Sequence, residues 1–177
     1  AGIPWMVAPE NILDKDQNGV WRWFSDGVLN SCYVALDQHV AAGRGDQPAL
    51  IYDSPVTGEI EHFTYAQLLE KTAIIAGGLV DLGVAKGDVV VIYMPMVPET
   101  VTAMLACARI GAIHSVVFGG FAPGELAMRI DDANPRVVLA ASCGIEVDRV
   151  IAYQPLLNEA IGLAEHKPDH VVMLQRQ

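Results

Sequence analysis

A chain of 177 residues with 52% hydrophobic and 18% charged side chains is long enough for one compact core and too apolar for a disordered protein. Eleven Lys and Arg against twenty-one Asp and Glu give a formal net charge of -10, and no basic cluster is present to track a phosphate backbone, so nucleic acid is excluded as an expected partner. Cys32, Cys107 and Cys143 are widely spaced and odd in number, which excludes a disulfide framework or a CxxC metal site and fits a reducing compartment.

In chain order, residues 1–27 predict an extended lead-in. Asn30 is placed to cap a helix reaching about Ala42, and Gly43-Arg44-Gly45-Asp46 ends it through glycine's access to positive φ. Ala49 to Tyr52 reads as a strand, Ser54-Pro55-Val56-Thr57-Gly58 as a turn, and the alternating Ile60, His62 and Thr64 as the returning strand of a small antiparallel hairpin. From Thr64 the period changes: Leu68, Leu69, Ala73, Ala76 and Leu79 recur at helical spacing, with Thr64 as cap and Gly83 as stop.

Asp88 then introduces Val89-Val90-Val91-Ile92-Tyr93, an uninterrupted apolar run that predicts a strand buried on both faces and closed by Pro95 and Pro98. A helix from about Glu99 to Ile110 leads through Gly111 to a second buried strand at Ala112 to Val117. Pro123 and Glu125 suit a first helical turn, with the helix ending near Asn134-Pro135 before a strand at Val137 to Ala140. A last helix near Leu156 to Ala164 precedes a strand at Val171 to Leu174. Such repeated strand–helix–strand units require parallel pairing with right-handed crossovers, so the expected fold is α/β, a parallel doubly wound sheet with a small antiparallel opening.

The most apolar stretch, Ala103 to Ala122, contains Arg109, His114, Gly111, Gly119 and Gly120, and a central arginine costs at least about 2.5 kcal/mol in a bilayer, so no transmembrane span is predicted. Ala1-Gly2-Ile3-Pro4-Trp5 has neither an initiator methionine nor the regions of a signal peptide, and the chain is expected to start inside a longer protein. A mean hydropathy of +0.31 agrees with surfaces that further sequence covers.

Two segments are candidates for chemistry. Phe118-Gly119-Gly120-Phe121-Ala122-Pro123 places two glycines between a strand and a helix, which permits a phosphate or pantetheine group to approach backbone amides; a tight strand-to-helix turn explains the same residues. Ser142-Cys143-Gly144-Ile145-Glu146-Val147-Asp148-Arg149 reads as a polar loop in which Arg149 either binds a ligand phosphate or is satisfied internally by Glu146 and Asp148. The five histidines form no convincing metal site, since His166-Lys167-Pro168-Asp169-His170 spans a helix breaker. Cys107 lies on an apolar helix and reads as a small buried side chain, Arg44-Gly45-Asp46 as a turn, and Asp131-Asp132 as a solvated acidic helix end. GxGxxG, GxxxxGK[ST] and GxSxG patterns are all absent from the sequence.

Several ordered segments carry a family resemblance: Trp23-Phe24-Ser25-Asp26-Gly27-Val28-Leu29-Asn30, Leu36-Asp37-Gln38-His39, Thr64-Tyr65-Ala66-Gln67-Leu68, Gly87 through Pro95, and, most specifically, Ala108-Arg109-Ile110-Gly111-Ala112-Ile113-His114-Ser115-Val116-Val117-Phe118-Gly119-Gly120-Phe121. Over residues 3 to 177 the chain resembles the acetyl-/propionyl-CoA synthetase branch of the adenylate-forming, AMP-binding acyl-CoA synthetases. Ile151-Ala152-Tyr153-Gln154-Pro155-Leu156-Leu157 and His166-Lys167-Pro168-Asp169 look closer to propionyl-CoA synthetases and related short-chain enzymes than to acetyl-CoA synthetase proper.

The resemblance implies a ligase that makes an acyl-adenylate from a short-chain carboxylate and ATP, then a thioester with CoA, assisted by Mg²⁺. It implies that Gly119, Gly120 and Arg149 contribute to the CoA site, with Glu146, Val147 and Asp148 behind them, and that none is a catalytic base. The family's Ser/Thr/Gly-rich phosphate loop, its Tyr-Gly-x-Thr-Glu segment, its ribose-binding Asp and its carboxyl-terminal catalytic Lys have no match here and are expected after Gln177. Residues 28–177 are therefore expected to be the amino-terminal part of an adenylation domain, inactive as an isolated fragment. The alternative is a non-catalytic CoA-binding or interaction module on the same scaffold. A bacterial parent implies the cytoplasm and a eukaryotic one the mitochondrial matrix; no membrane partner is expected.

Overall fold

The computed structural model describes residues 2–147 and 149–176, and the extended lead-in predicted for 1–27 carries a hairpin of its own. Leu13–Lys15 (β1) and Trp21–Trp23 (β2) pair antiparallel across a turn in which the Asp16 carboxylate accepts the N–H groups of Asn18 and Val20 at 2.9 and 3.0 Å. Strands of three residues are too short to show a period, so alternation did not reveal them. A bridge between Val7 and Val28 then leads into helical backbone over residues 31–44, whose turns at Tyr33–Asp37 and Val40–Arg44 are of the wide π type.

Asn30 does more than the predicted capping. Its Oδ1 accepts the Tyr33 N–H at 3.0 Å while its Nδ2 donates to the Ala108 and Arg109 carbonyls at 3.2 and 3.0 Å, so one side chain starts this helix and satisfies the end of another. Pro48–Ser54 (β3) and Glu59–Thr64 (β4) form the expected hairpin. Thr64 and Gln67 make a reciprocal capping box at the head of Tyr65–Asp81 (α1): the Gln67 N–H donates to Thr64 Oγ1 at 3.3 Å and the Thr64 N–H to Gln67 Oε1 at 2.9 Å.

The remaining elements alternate: Val89–Met94 (β5), Pro98–Ile110 (α2), Ile113–Phe118 (β6), Pro123–Ala133 (α3), Val137–Ala141 (β7), Cys143–Ile145 (β8), Val150–Ala152 (β9), Tyr153–Leu163 (α4) and His170–Leu174 (β10). Strands β10, β7, β5 and β6 lie in that order in one parallel sheet, with β5 aligned through Val90 to His114 on one side and Val137 on the other. The chain moves from β5 to β6, recrosses to β7 and continues to β10. Right-handed crossovers therefore put α2 on one face and α3 and α4 on the other, while α1 packs outside α2. This is the doubly wound sheet expected, and its direction reverses between β5 and β7.

Burial follows position in the sheet. Val90, Val91, Ile92 and Tyr93 in β5 and Val137, Val138, Ala140 and Ala141 in β7 are fully enclosed, each large aliphatic side chain contributing roughly 1.5–3 kcal/mol. The prediction of a second buried strand at Ala112 to Val117 needs correction: β6 is an edge strand in which Ile113, Val116 and Phe118 are exposed and Val117 alone is buried. An apolar run does not distinguish a central strand from an edge strand, because that depends on how many neighbours pair with it. Among the described residues no helix is long and apolar enough to cross a membrane, and Ala103 to Ala122 divides between α2 and β6.

Candidate functional site

In a doubly wound sheet, ligands gather beyond the carboxyl ends of the strands near the reversal point. Here that end is formed by the segments following β5, β6 and β7, and the two candidate loops from the sequence both lie there. The Gly119-Gly120 turn leaves β6. Gly120 has φ of 94°, a left-handed conformation that a side chain would strain. Its N–H donates to the Tyr93 hydroxyl at 3.1 Å, and that hydroxyl donates to the Phe121 carbonyl at 3.3 Å. Tyr93 is buried near the end of β5, so the neighbouring strand pins the turn from beneath, and burial pushes its phenol pKa up.

A second tyrosine completes the arrangement. Tyr153, first residue of α4, is 5% exposed; its N–H donates to the Ser142 carbonyl at 2.9 Å and its ring centroid lies 5.2 Å from that of Tyr93. A Cβ placed on Gly119 would sit 2.5 Å from Tyr153 Cε2 and 2.6 Å from its hydroxyl oxygen, and one on Gly144 would sit 2.5 Å from Cζ. Both glycines are therefore required by the protein's own packing. The room expected at Gly119 for a cofactor is taken by Tyr153, and the Gly120 amide expected to face a ligand is engaged by Tyr93. Sequence reasoning missed Tyr93, Gly144 and Tyr153; the signal available was that an aromatic hydroxyl in an apolar run needs a buried partner.

The segment Ser142 to Arg149, read as a polar loop, is instead the start of an antiparallel hairpin, with β8 and β9 paired through Gly144 and Ile151. At its tip the Glu146 N–H donates to the Arg149 carbonyl at 2.9 Å, and Arg149 Nε donates to Glu146 Oε2 at 2.7 Å. The internal pairing left open by the sequence is thus present, in solvent: the two side chains are 67% and 51% exposed. Val147 is 92% exposed, and Asp148 lies outside the described residues. A guanidinium carries five N–H donors, and this ion pair uses the one on Nε. The structure brings the glycine turn and the hairpin base together through Tyr153 and sets Glu146, Val147 and Arg149 at the outer tip.

At the same end of the sheet a cavity of ≈ 220 Å³ is lined by Val97, Glu99, Ile145, Leu174 and Arg176, with Glu59 and Glu61 from β4. Arg176 is held over it by its N–H donating to Ser142 Oγ at 3.0 Å and its Nη1 donating to the Cys143 carbonyl at 3.1 Å. A larger cavity, ≈ 600 Å³, lies at the opposite end, by the last turn of α2, between Trp5, Tyr33 and a bidentate Arg109–Asp37 pair at 2.9 and 3.0 Å.

The remaining reactive groups have structural occupations. Burial pushes the Cys107 thiol up to about 11 and raises Cys32 as well, despite an Arg109 Nη1 contact at 3.7 Å, so neither is disposed to ionise as a nucleophile. Asp131, read as a solvated helix end, accepts the His166 N–H at 2.8 Å, and His166 Nε2 lies 2.8 Å from the Pro135 carbonyl. Among the described residues no group of three or more His, Cys, Asp or Glu is placed to hold a metal ion, so none of them is assigned to the Mg²⁺ that the resemblance implies.

The sequence profile of the AMP-binding enzyme family matches residues 37–176. The chain belongs to that family. It is 60% identical over 98% of its length to an uncharacterized protein of Pseudomonas aeruginosa, covering 28% of that protein. It is 50% identical over 98% of its length to the human mitochondrial acyl-CoA synthetase short-chain family member 3, and 47% identical over 93% to a Streptomyces coelicolor acetyl-coenzyme A synthetase, covering 25% and 26% of them. The crystal structure of a Brucella canis acyl-CoA synthetase superposes with a TM-score of 0.68 at 23% identity over 84% of this chain and 24% of that one, a likeness of fold. The chain spans about a quarter of the length of these relatives.

Proposed function

We propose that this chain is the amino-terminal part, residues 28–177, of the adenylation domain of a short-chain acyl-CoA synthetase, an AMP-forming acid–thiol ligase. The observation carrying this reading is the 50% identity to a short-chain acyl-CoA synthetase across 98% of the chain, on a fold whose two candidate loops stand at the carboxyl end of the sheet strands, where doubly wound folds gather ligands. Propionate is the proposed acid, supported by the resemblance of residues 151–157 and 166–169. The acyl, ATP and Mg²⁺ subsites belong to sequence outside this chain, as the one-quarter coverage of the relatives suggests. A bacterial parent would work in the cytoplasm, while a eukaryotic one would share the mitochondrial address carried in the human relative's name.

Within this segment the proposed contribution is to CoA. Arg149 at the exposed hairpin tip exchanges or shares Glu146 with a CoA phosphate, Val147 and Asp148 flank it, and the Gly119-Gly120 turn forms the adjoining wall. Exposure favours this exchange, because a solvent-facing ion pair is worth only about 0–1 kcal/mol and a doubly charged phosphate competes well for the guanidinium.

The test is steady-state kinetics on the complete protein with acetate, propionate and butyrate. Thioester and AMP are expected in equal amounts, with propionate giving the largest kcat/KM. Arg149→Ala is expected to raise the KM for CoA about tenfold, the loss of one charge-assisted contact, and leave the KM for ATP unchanged. Failure to release AMP in the presence of acid, ATP and CoA overturns the reading.

A further inference from the structure

Four residues far apart in sequence meet at one point: Tyr93 at the end of β5, Gly119 after β6, Gly144 in β8 and Tyr153 at the head of α4. The contacts at the two glycines differ from ordinary packing. Both positions would bring a Cβ within 2.5 Å of the same phenol ring, a separation real Cβ atoms do not show, so the backbones of the turn and of the hairpin close on one side chain. The ring is itself fixed on two sides. Its backbone N–H is bonded to the Ser142 carbonyl at the base of the hairpin, and its face tilts at 40° against Tyr93, whose hydroxyl holds the Gly120 N–H.

We infer that Tyr153 is a positioning residue: its ring is the shared post that sets the Gly119-Gly120 turn against the β8–β9 hairpin, so that the two loops move and bind as one unit. The inference rests on the proposal that these loops form the CoA site, and goes beyond it by assigning a role to a residue that the ligand need not touch. The physical reason is that neither loop holds itself to the other. Among the described contacts, the hairpin tip is closed only by Glu146 and Arg149, and the turn is tied to β5 rather than to the hairpin. Removing the ring leaves space that either loop can enter, and the spacing between turn and tip is no longer fixed.

Gly119→Ala harms the site because the new methyl meets Cε2, Cζ and the hydroxyl of Tyr153, all atoms of the distal ring. A leucine or alanine at 153 lacks those atoms, so Gly119→Ala should have no further effect in that background. Phenylalanine keeps Cε2 and Cζ, and there the effect should remain.

The experiment is a double-mutant cycle on the complete protein, read as separate KM values for CoA and ATP with thermal unfolding as a control for folding. Tyr153→Phe is expected to keep the wild-type KM for CoA, and Tyr153→Ala to raise it by about tenfold to a hundredfold, the scale of a displaced binding element, with the KM for ATP unchanged. Gly119→Ala should be comparably harmful alone and change the KM for CoA by less than about twofold when added to Tyr153→Ala. If Tyr153→Ala does not fold, the cycle is run with Tyr153→Leu. Additive effects of Gly119→Ala and the residue 153 substitution overturn the inference. A folded Tyr153→Ala with unchanged KM for CoA also overturns it, and leaves the CoA reading standing if Arg149→Ala still raises that KM. Loss of the Arg149 effect removes the CoA reading itself.

Discussion

The two loops at the carboxyl end of the sheet both carry glycine, one between apolar residues in Phe118-Gly119-Gly120-Phe121 and one leading into the polar Glu146 to Arg149, and the protein holds them in opposite ways. The Gly119-Gly120 turn rests on two buried tyrosines, one of which bonds its amide and carbonyl, while the Glu146–Arg149 tip stands in solvent, closed among the described residues by one backbone hydrogen bond and one exposed ion pair. A glycine pair and an arginine, equal as sequence signals, are thus held by different physics: packing under the one, a solvated ion pair on the other. Gly119 and Gly144 serve the protein's own packing, whereas the Arg149–Glu146 ion pair stands in solvent, as its proposed exchange for a CoA phosphate requires.

The comparison predicts a wide spread of stability effects. Tyr153→Ala should destabilise the complete protein by about 3 kcal/mol or more, the scale for truncating a buried aromatic, whereas Arg149→Ala should change stability by less than about 0.5 kcal/mol. Chemical denaturation measures both, and equal effects would abolish the distinction between a packed turn and a solvated tip. Tyr93→Phe is a finer probe because it keeps the ring and removes only the hydroxyl that bonds Gly120 and Phe121. A loss of about 1–2 kcal/mol is expected from those two hydrogen bonds, and no loss would mean that the turn is held by packing against the rings and not by the hydroxyl.

The smallest effect lies away from both loops. The His166 N–H bonded to Asp131 holds that carboxyl below its ordinary range, so the carboxylate stabilises the fold at neutral pH and its contribution disappears as pH falls below about 4. Asp131→Asn can keep the hydrogen bond without the titration. It should flatten the acid side of the stability profile and leave the KM for CoA unchanged; an altered KM would show that the far end of α3 communicates with the loops.

Much of the fold was legible. Val89 to Tyr93 could be read as a doubly covered strand because five consecutive apolar residues leave no face for water, and Thr64 announced its helix because its hydroxyl satisfies an amide that the helix cannot. The hairpin β8–β9 was not legible: three-residue strands show no period, and Gly144 resembled a loop glycine. Nor was the exposure of β6, since its apolar residues match those of a central strand and only the count of neighbours differs. Of the candidate site, Gly119, Gly120 and Arg149 were found by residue type, but the occupant of the space at Gly119 was not, because Tyr153 lies more than thirty positions away along the chain.

The order and type of the main elements, the parallel doubly wound class and the family could be read along the chain, because hydrophobic period, capping residues and ordered motifs are local properties. Three features came from packing in three dimensions: which strands stand at the edges, that the Tyr153 ring packs against both Gly119 and Gly144, and that Arg149 meets Glu146 in solvent. Those features depend on distances between residues that the sheet order brings together, and a linear pattern does not contain those distances.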